Sequence, residues 1–245
     1  MESYLTKLDQ IFSPDKFTKL KKNPIQTHIT KYCNVIKTMT PYLTNSDEYL
    51  LRPIQNLKVG YGLLKLHKTN APLRPIVSSL NSICSGAETY INNLIKPIIA
   101  NCNFVVKSTQ NFKNNFPKFA QKFDEKNHDI ISIDCVSLYT SVNIPRVVTH
   151  ILDIIYKKDE NGLFLNIEQF FPKQEKTQIK NKIKEKIIIE APPREILEHF
   201  VMSILTKFNS FETLTGFYIQ KEGCSMGSKL SPGLARISKY FLRYF

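Results

Sequence analysis

A glycine-punctuated loop that runs directly into a helix start constrains this chain more than any other feature. In QKEGCSMGSKLSPGLARISKYFLRYF, residues 220–245, Gly223 and Gly227 permit backbone conformations closed to other residues. Ser231 and Pro232 then match the chemistry of a helix N-terminus, a hydroxyl at the cap and a proline in the first turn. Just upstream, FETLTGFYIQ reads as a strand, a turn near Thr215-Gly216 and a second strand that delivers the chain into the loop. A second signal is the apolar run ISIDCVSLYT, which alternates as a strand. Ile131 and Ile133 fall on one side, Ser132 and Asp134 on the other.

Other segments frame these two. Residues 1–50 read as helical and basic, divided by Pro14, Pro24 and Pro41, with Phe12, Phe17, Leu20, Ile25, Ile29, Val35 and Ile36 as expected buried positions. The stretch 51–80 holds Gly60, Gly62, Pro72 and Pro75 among β-prone runs and reads as a hairpin. GAETYINNLIKPII, residues 86–99, suits a helix. Pro145 opens another through Tyr156, with Val148, Ile151, Leu152 and Ile155 on one face. Residues 157–190, which include KQEKTQIKNKIKEK, read as an exposed, charged insertion. A further helix is expected around Arg194–Phe208.

Charge narrows the partners. The chain carries 34 basic against 21 acidic residues, a net +13, which suits a phosphate-rich partner. Lysine-rich composition alone would give the same balance in a protein without nucleic acid. The five cysteines form no CxxC pair, so they read as reduced residues of an intracellular protein, with neither a disulfide frame nor a zinc site. MESYLTKLDQ lacks an apolar signal region, and no apolar run is long enough to span a bilayer, so no membrane association is expected.

Three groups of residues are candidates for chemistry. Asp134, on a buried strand facing a cleft, would hold a divalent ion that bridges phosphates and an attacking hydroxyl. The bland alternative is an edge or turn acid. Five residues on, Tyr139 has the position of an aromatic stacked beneath a sugar, where it would exclude a 2′-hydroxyl. It also reads as an ordinary half-buried core ring. The loop fails the GxxxxGK[ST] phosphate-loop pattern, because three residues separate its glycines and Ser228 precedes Lys229. Gly227 is better suited to close approach of a base pair to backbone. In YGLLKLHKTNAPLRPIVSS, Lys65, Lys68 and Arg74 lie on an expected β-ribbon, with prolines fixing the backbone around Arg74.

The ordered series YGLLKLHK…PLRPIVSS, SIDCVSLYTSVNIP, a GFYIQ hairpin and GCSMGSKLSPGLARI is similar to the reverse transcriptase domain of Penelope-like retroelements, over nearly the whole chain. The resemblance implies an α+β fold, the fingers and incomplete palm of a right-hand polymerase. It implies a basic helical region over 1–50, fingers over 51–128 and partial palm over 129–245. It makes Asp134 the first catalytic metal ligand and the Cys135 carbonyl an additional oxygen for Mg²⁺ or Mn²⁺. Lys65, Arg74, Cys135, Tyr139, Met226 and Gly227 are implied contacts to the incoming nucleotide. Lys68, Gly223, Ser228, Lys229, Ser231 and Pro232 are implied contacts to template and primer.

The implied reaction is RNA-directed DNA polymerisation by two-metal nucleotidyl transfer, with an RNA template, a DNA primer and deoxynucleoside triphosphates as partners, acting in the nucleus without an obligate protein partner. Lys229 and Arg236 depart from the family pattern, and both add positive charge beside the expected template path. The larger departure is the YxDD motif, since the sequence contains no adjacent Asp pair. The resemblance therefore implies a truncated domain with an open strand edge, reduced solubility and loss of catalysis. The alternative expectations are a non-catalytic nucleic-acid-binding relic and a helical protein with no nucleic-acid role.

Overall fold

The computed structural model describes residues 2–69, 71–101, 106, 108–124, 126–127, 129, 137–180 and 183–242. The fold is α+β. In chain order the described residues form α1 (Glu2–Ile11), β1 (Phe17–Leu20), α2 (Ile25–Met39), a 3-10 turn (Thr40–Tyr42), α3 (Asn45–Leu50), β2 (Lys58–Leu64) and β3 (Leu73–Ser78). These are followed by α4 (Ser85–Ala100), α5 (Thr109–Ala120), α6 (Ile144–Ile155), α7 (Ile167–Phe170), β4 (Gln174–Lys180) and β5 (Ile183–Ile189). The order closes with α8 (Arg194–Thr206), β6 (Ser210–Thr213), β7 (Gly216–Gln220) and α9 (Ser231–Leu242).

Five strands join in the order β1-β7-β6-β2-β3, all antiparallel except the β2–β6 pair. The sheet therefore links the first twenty residues to the glycine loop region and to the basic hairpin. Phe17 pairs with Gln220 and Lys58 with Phe211. Leu8 of helix α1 and Phe12 just beyond its end pack onto Phe17, Val77, Phe211 and Tyr218, a small aromatic-rich core. The larger core is helical. It draws Tyr32 from α2, Ile91 and Ile95 from α4, Ile151 from α6, Phe200 from α8 and Leu234 from α9.

Local sequence accounts for several elements. In α6 the buried residues Ile144, Val147, Val148, Ile151, Leu152 and Ile155 fall on the helical period. The Asn143 side chain accepts from the Arg146 N–H at 3.0 Å, capping the start. Helix α3 begins with a reciprocal capping box between Thr44 and Asp47.

Three expectations are corrected and one is refined. Residues 1–50 are not all helical, because β1 adds an edge strand there. Helix α2 buries His28, Tyr32, Val35 and Met39, while Ile25, Ile29 and Ile36 pack only partly against the core. The described part of the segment 157–190 is largely exposed, as read, and it is structured. It contains α7 and an antiparallel β4–β5 ribbon anchored by the buried Lys176, which ion-pairs with Glu48 and donates to the Thr40 carbonyl at 3.2 Å. Residues 137–140 form a turn where the strand was expected to continue to Tyr139, and the earlier part of that strand lies outside the described residues.

His28 ties α2 to the sheet. Its Nε2 lies 2.9 Å from Ser210 Oγ, its ring meets Phe208 edge-on at 5.6 Å, and its buried Nδ1 has no hydrogen-bond partner among the described residues. Burial, aided by the nearby Lys31 charge, lowers its pKa. The folded state thus binds fewer protons than the unfolded one wherever an ordinary histidine would charge, so stability is full above about pH 6.5 and falls as pH drops below it. The urea midpoint should decrease on acidification from about pH 7.5 to about 5.5, and this decrease should shrink in His28→Gln. An unchanged decrease would remove His28 as its source.

Candidate nucleic-acid interface

The candidate site is organised around a buried carboxylate. Lys58 opens β2 and Glu88 sits in the first turn of α4, and their charged atoms meet at 2.8 Å with side chains 6% and 2% exposed. One Glu88 oxygen takes the ammonium. The other accepts from the Ser228 hydroxyl at 2.8 Å and from the Lys229 backbone N–H at 3.2 Å. For both groups burial disfavours the charge. Burial is the largest single influence, but the mutual attraction together with the hydrogen bonds the pair makes outweighs it, so Lys58 is raised and Glu88 lowered. Burial pushes the neighbouring Cys84 and Cys224 thiols up to about 12, so both stay protonated.

This pair fixes one end of the glycine loop, and backbone bonds fix the rest. The Val77 N–H on β3 donates to the Met226 carbonyl at 2.6 Å, and Ser79 N–H to the Gly227 carbonyl at 3.4 Å. On the other side Cys224 N–H donates to the Tyr139 carbonyl at 2.7 Å. Gly223 has φ +69° and a Cβ there would come within 2.5 Å of the Thr140 backbone. Gly227 has φ +113° and a Cβ would meet the Val77 carbonyl at 2.8 Å. Both glycines are thus required by conformation and by contact. Inside the loop, Gln220 accepts from Ser225 Oγ at 3.0 Å and donates to the Glu222 carbonyl at 2.7 Å.

The loop residues named from sequence lie together. Gly223, Met226 and Ser228 are half-buried, and Gly227, Lys229 and Pro232 are exposed. Pro232 occupies the first turn of α9, as expected. Ser231 does not act as the expected cap. It is the first helical residue, its hydroxyl donates inward to the Ser225 carbonyl at 2.6 Å, and Leu230 supplies the first helical carbonyl to Leu234 N–H at 3.0 Å.

Arg74 is exposed on β3, three residues from the Val77 anchor, and faces Leu63 across the ribbon. Lys65 and Lys68 lie beyond the ribbon strands in the connecting turn, where Lys68 N–H donates to the Lys65 carbonyl at 3.0 Å. Tyr139 is half-buried, packs against the main core, and stands beside the loop through its carbonyl. Arg236 is exposed on α9. Asp134 and Cys135 lie outside the described residues, and no cluster of three or more His, Cys, Asp or Glu suited to a metal occurs among the described ones. No helix among the described residues is long and apolar enough to cross a membrane.

Sequence reasoning missed Lys58, Glu88 and Gln220 as loop-positioning residues. Glu88 carries a faint signal, an acid in the first turn of an otherwise apolar helix. Comparison of the sequence with protein-family models and with curated proteins returns no match.

Removing one partner strands a buried charge. Glu88→Ala should destabilise the fold by about 3–5 kcal/mol, whereas Lys58→Met combined with Glu88→Leu should recover much of that loss. Denaturant unfolding of the two single variants and the double variant measures this. Additive losses would rule out a coupled pair.

Proposed function

We propose that this chain is a reverse transcriptase domain of retroelement origin, built as polymerase fingers and part of a palm, that holds RNA template and DNA primer against its glycine loop. The observation that carries the reading is convergence. The basic β2–β3 ribbon, the Tyr139 turn and the glycine loop are far apart in sequence, yet Val77 bonds Met226 and Tyr139 bonds Cys224. A chance resemblance in separate short motifs would not require them to meet.

In this reading the exposed backbone at Gly227 admits the new base pair closely, and Arg74 and Lys65 hold the triphosphate of a deoxynucleotide. Tyr139 packs beneath the sugar. Asp134, with the Cys135 carbonyl, would hold Mg²⁺ or Mn²⁺, which when bound supplies charge neutralisation at the transferring phosphate. Lys68, Ser228 and Lys229 take template and primer phosphates. Action in the nucleus follows, because such a domain copies into chromosomal DNA.

One sequence observation favours a second reading of the same surface. The 245 residues contain no adjacent Asp pair, and one carboxylate does not position two ions. Displacing a catalytic ligand by about 1 Å already costs roughly 10²-fold. The chain as it stands would then bind template–primer without extending it.

The expected result is binding of an RNA–DNA hybrid that weakens at least about tenfold between about 50 and about 200 mM salt, since phosphate contacts release counterions. Absent or salt-insensitive binding overturns both readings. Magnesium-dependent primer extension that Asp134→Ala abolishes supports the polymerase. Hybrid binding without extension, unchanged by Asp134→Ala, supports the non-catalytic relic.

A further inference from the structure

Lys229 belongs to two features at once. It closes the glycine loop, and its side chain borders a groove of about 590 Å³ between the end of α3 and the first turn of α4. Its ammonium donates to Thr89 Oγ1 at 2.9 Å, and the Thr89 hydroxyl donates in turn to the Ser85 carbonyl at 2.9 Å. The charge is therefore held in place while remaining exposed. Across the groove, Tyr49 is 70% exposed and the Arg52 guanidinium lies 4.9 Å from its ring centre. Among the described residues no carboxylate pairs with either cation. The remaining lining is largely apolar, from Leu50, Pro53 and Ile54.

An exposed aromatic ring backed by a guanidinium, with a second fixed cation and an apolar surround, is suited to a single-stranded nucleic acid. The ring stacks a base, the guanidinium adds a cation–π contribution, and the two cations take flanking phosphates. An acidic peptide would use the cations but leave the exposed Tyr49 face without a planar partner. The chain's net +13 charge favours a polyanion in general, and continuity through Lys229 ties this groove to the loop where pairing is proposed.

We infer that the Tyr49–Arg52–Lys229 groove binds the unpaired template RNA immediately 5′ of the base pair held at the glycine loop. The inference rests on the function proposed above. It adds a subsite in which Tyr49 and Arg52 lie outside the sequence motifs on which that function was read, joined to those motifs through Lys229. Tyr49 acts as the stacking platform, and Arg52 and Lys229 as phosphate contacts.

The test compares the full chain's affinity for a blunt RNA–DNA hybrid with that for the same hybrid carrying a short 5′ RNA overhang. The overhang should tighten binding by about tenfold, and Tyr49→Ala should remove most of that gain, as expected for loss of one stacked base. Arg52→Gln and Lys229→Gln should reduce the gain and its salt sensitivity, with blunt-hybrid affinity much less affected by Tyr49→Ala and Arg52→Gln. All three side chains are exposed, and thermal unfolding of each variant confirms that the fold persists. No gain from the overhang, a gain retained in Tyr49→Ala, or loss of the overhang gain to polyglutamate as readily as to single-stranded RNA overturns the subsite while leaving hybrid binding intact. Failure to bind even the blunt hybrid overturns the underlying function instead.

Discussion

The Glu88 carboxylate is the constraint on which the candidate surface depends. It is almost fully buried on helix α4, and it contacts Lys58 from the sheet and Ser228 and Lys229 from the glycine loop. A carboxylate and an ammonium taken from water are costly unless each is paired and the remaining lone pairs are satisfied. Here one oxygen takes the cation and the other takes two loop donors. Sheet, helix and loop therefore have to assemble together, since leaving any one out strands a charge or a donor. Two thiols, Cys84 and Cys224, flank the pair as neutral groups and add no competing charge.

Once the loop is held there, the remaining geometry follows from backbone chemistry. The loop's carbonyls at Met226 and Gly227 receive N–H groups from β3 and the residue just past it, which extends the edge of the sheet without adding a strand. On its other flank the loop receives the Tyr139 carbonyl, at the end of a turn wound tightly around Ser137. The two glycines lie at these two flanks, where backbone approaches backbone too closely for any side chain. The result is a surface in which Arg74, Tyr139 and Gly227 are carried by mutually bonded segments. Support of this kind is what the proposed positioning of a base pair and a triphosphate would require.

Much of this was legible in the sequence because it is local. The α6 face, the β6–β7 hairpin and the Pro232 helix start are written in spacing, turn chemistry and capping residues over a dozen positions or fewer. What escaped is non-local or disguised. Lys58 and Glu88 are separated by 30 positions, and neither stands out among so many charged residues. The ribbon β4–β5 read as solvated charge because its alternation is of Lys, Glu and Gln with Ile, and among the described residues Lys176 is the one drawn fully inward, to Glu48. Helix α2 buries a histidine and a tyrosine in the stripe that isoleucines were expected to fill, with Ser210 partnering His28 Nε2 and the Leu51 carbonyl accepting from the Tyr32 hydroxyl. For the candidate site, sequence named the loop, Arg74 and Tyr139 but not the residues that hold the loop in place, and Asp134 lies outside the described residues.

Photocrosslinking tests the central claim most directly, using an RNA–DNA hybrid with thiouridine substituted at the template position opposite the primer end and the adducts mapped by peptide mass. The account predicts adducts on the loop peptide spanning residues 223–229 and on the peptide carrying Arg74, both weakened when Glu88 is replaced by Ala in protein that remains folded. Adducts confined to the β4–β5 ribbon or to α5, unaffected by that replacement, would contradict it and separate the buried pair from nucleic-acid recognition.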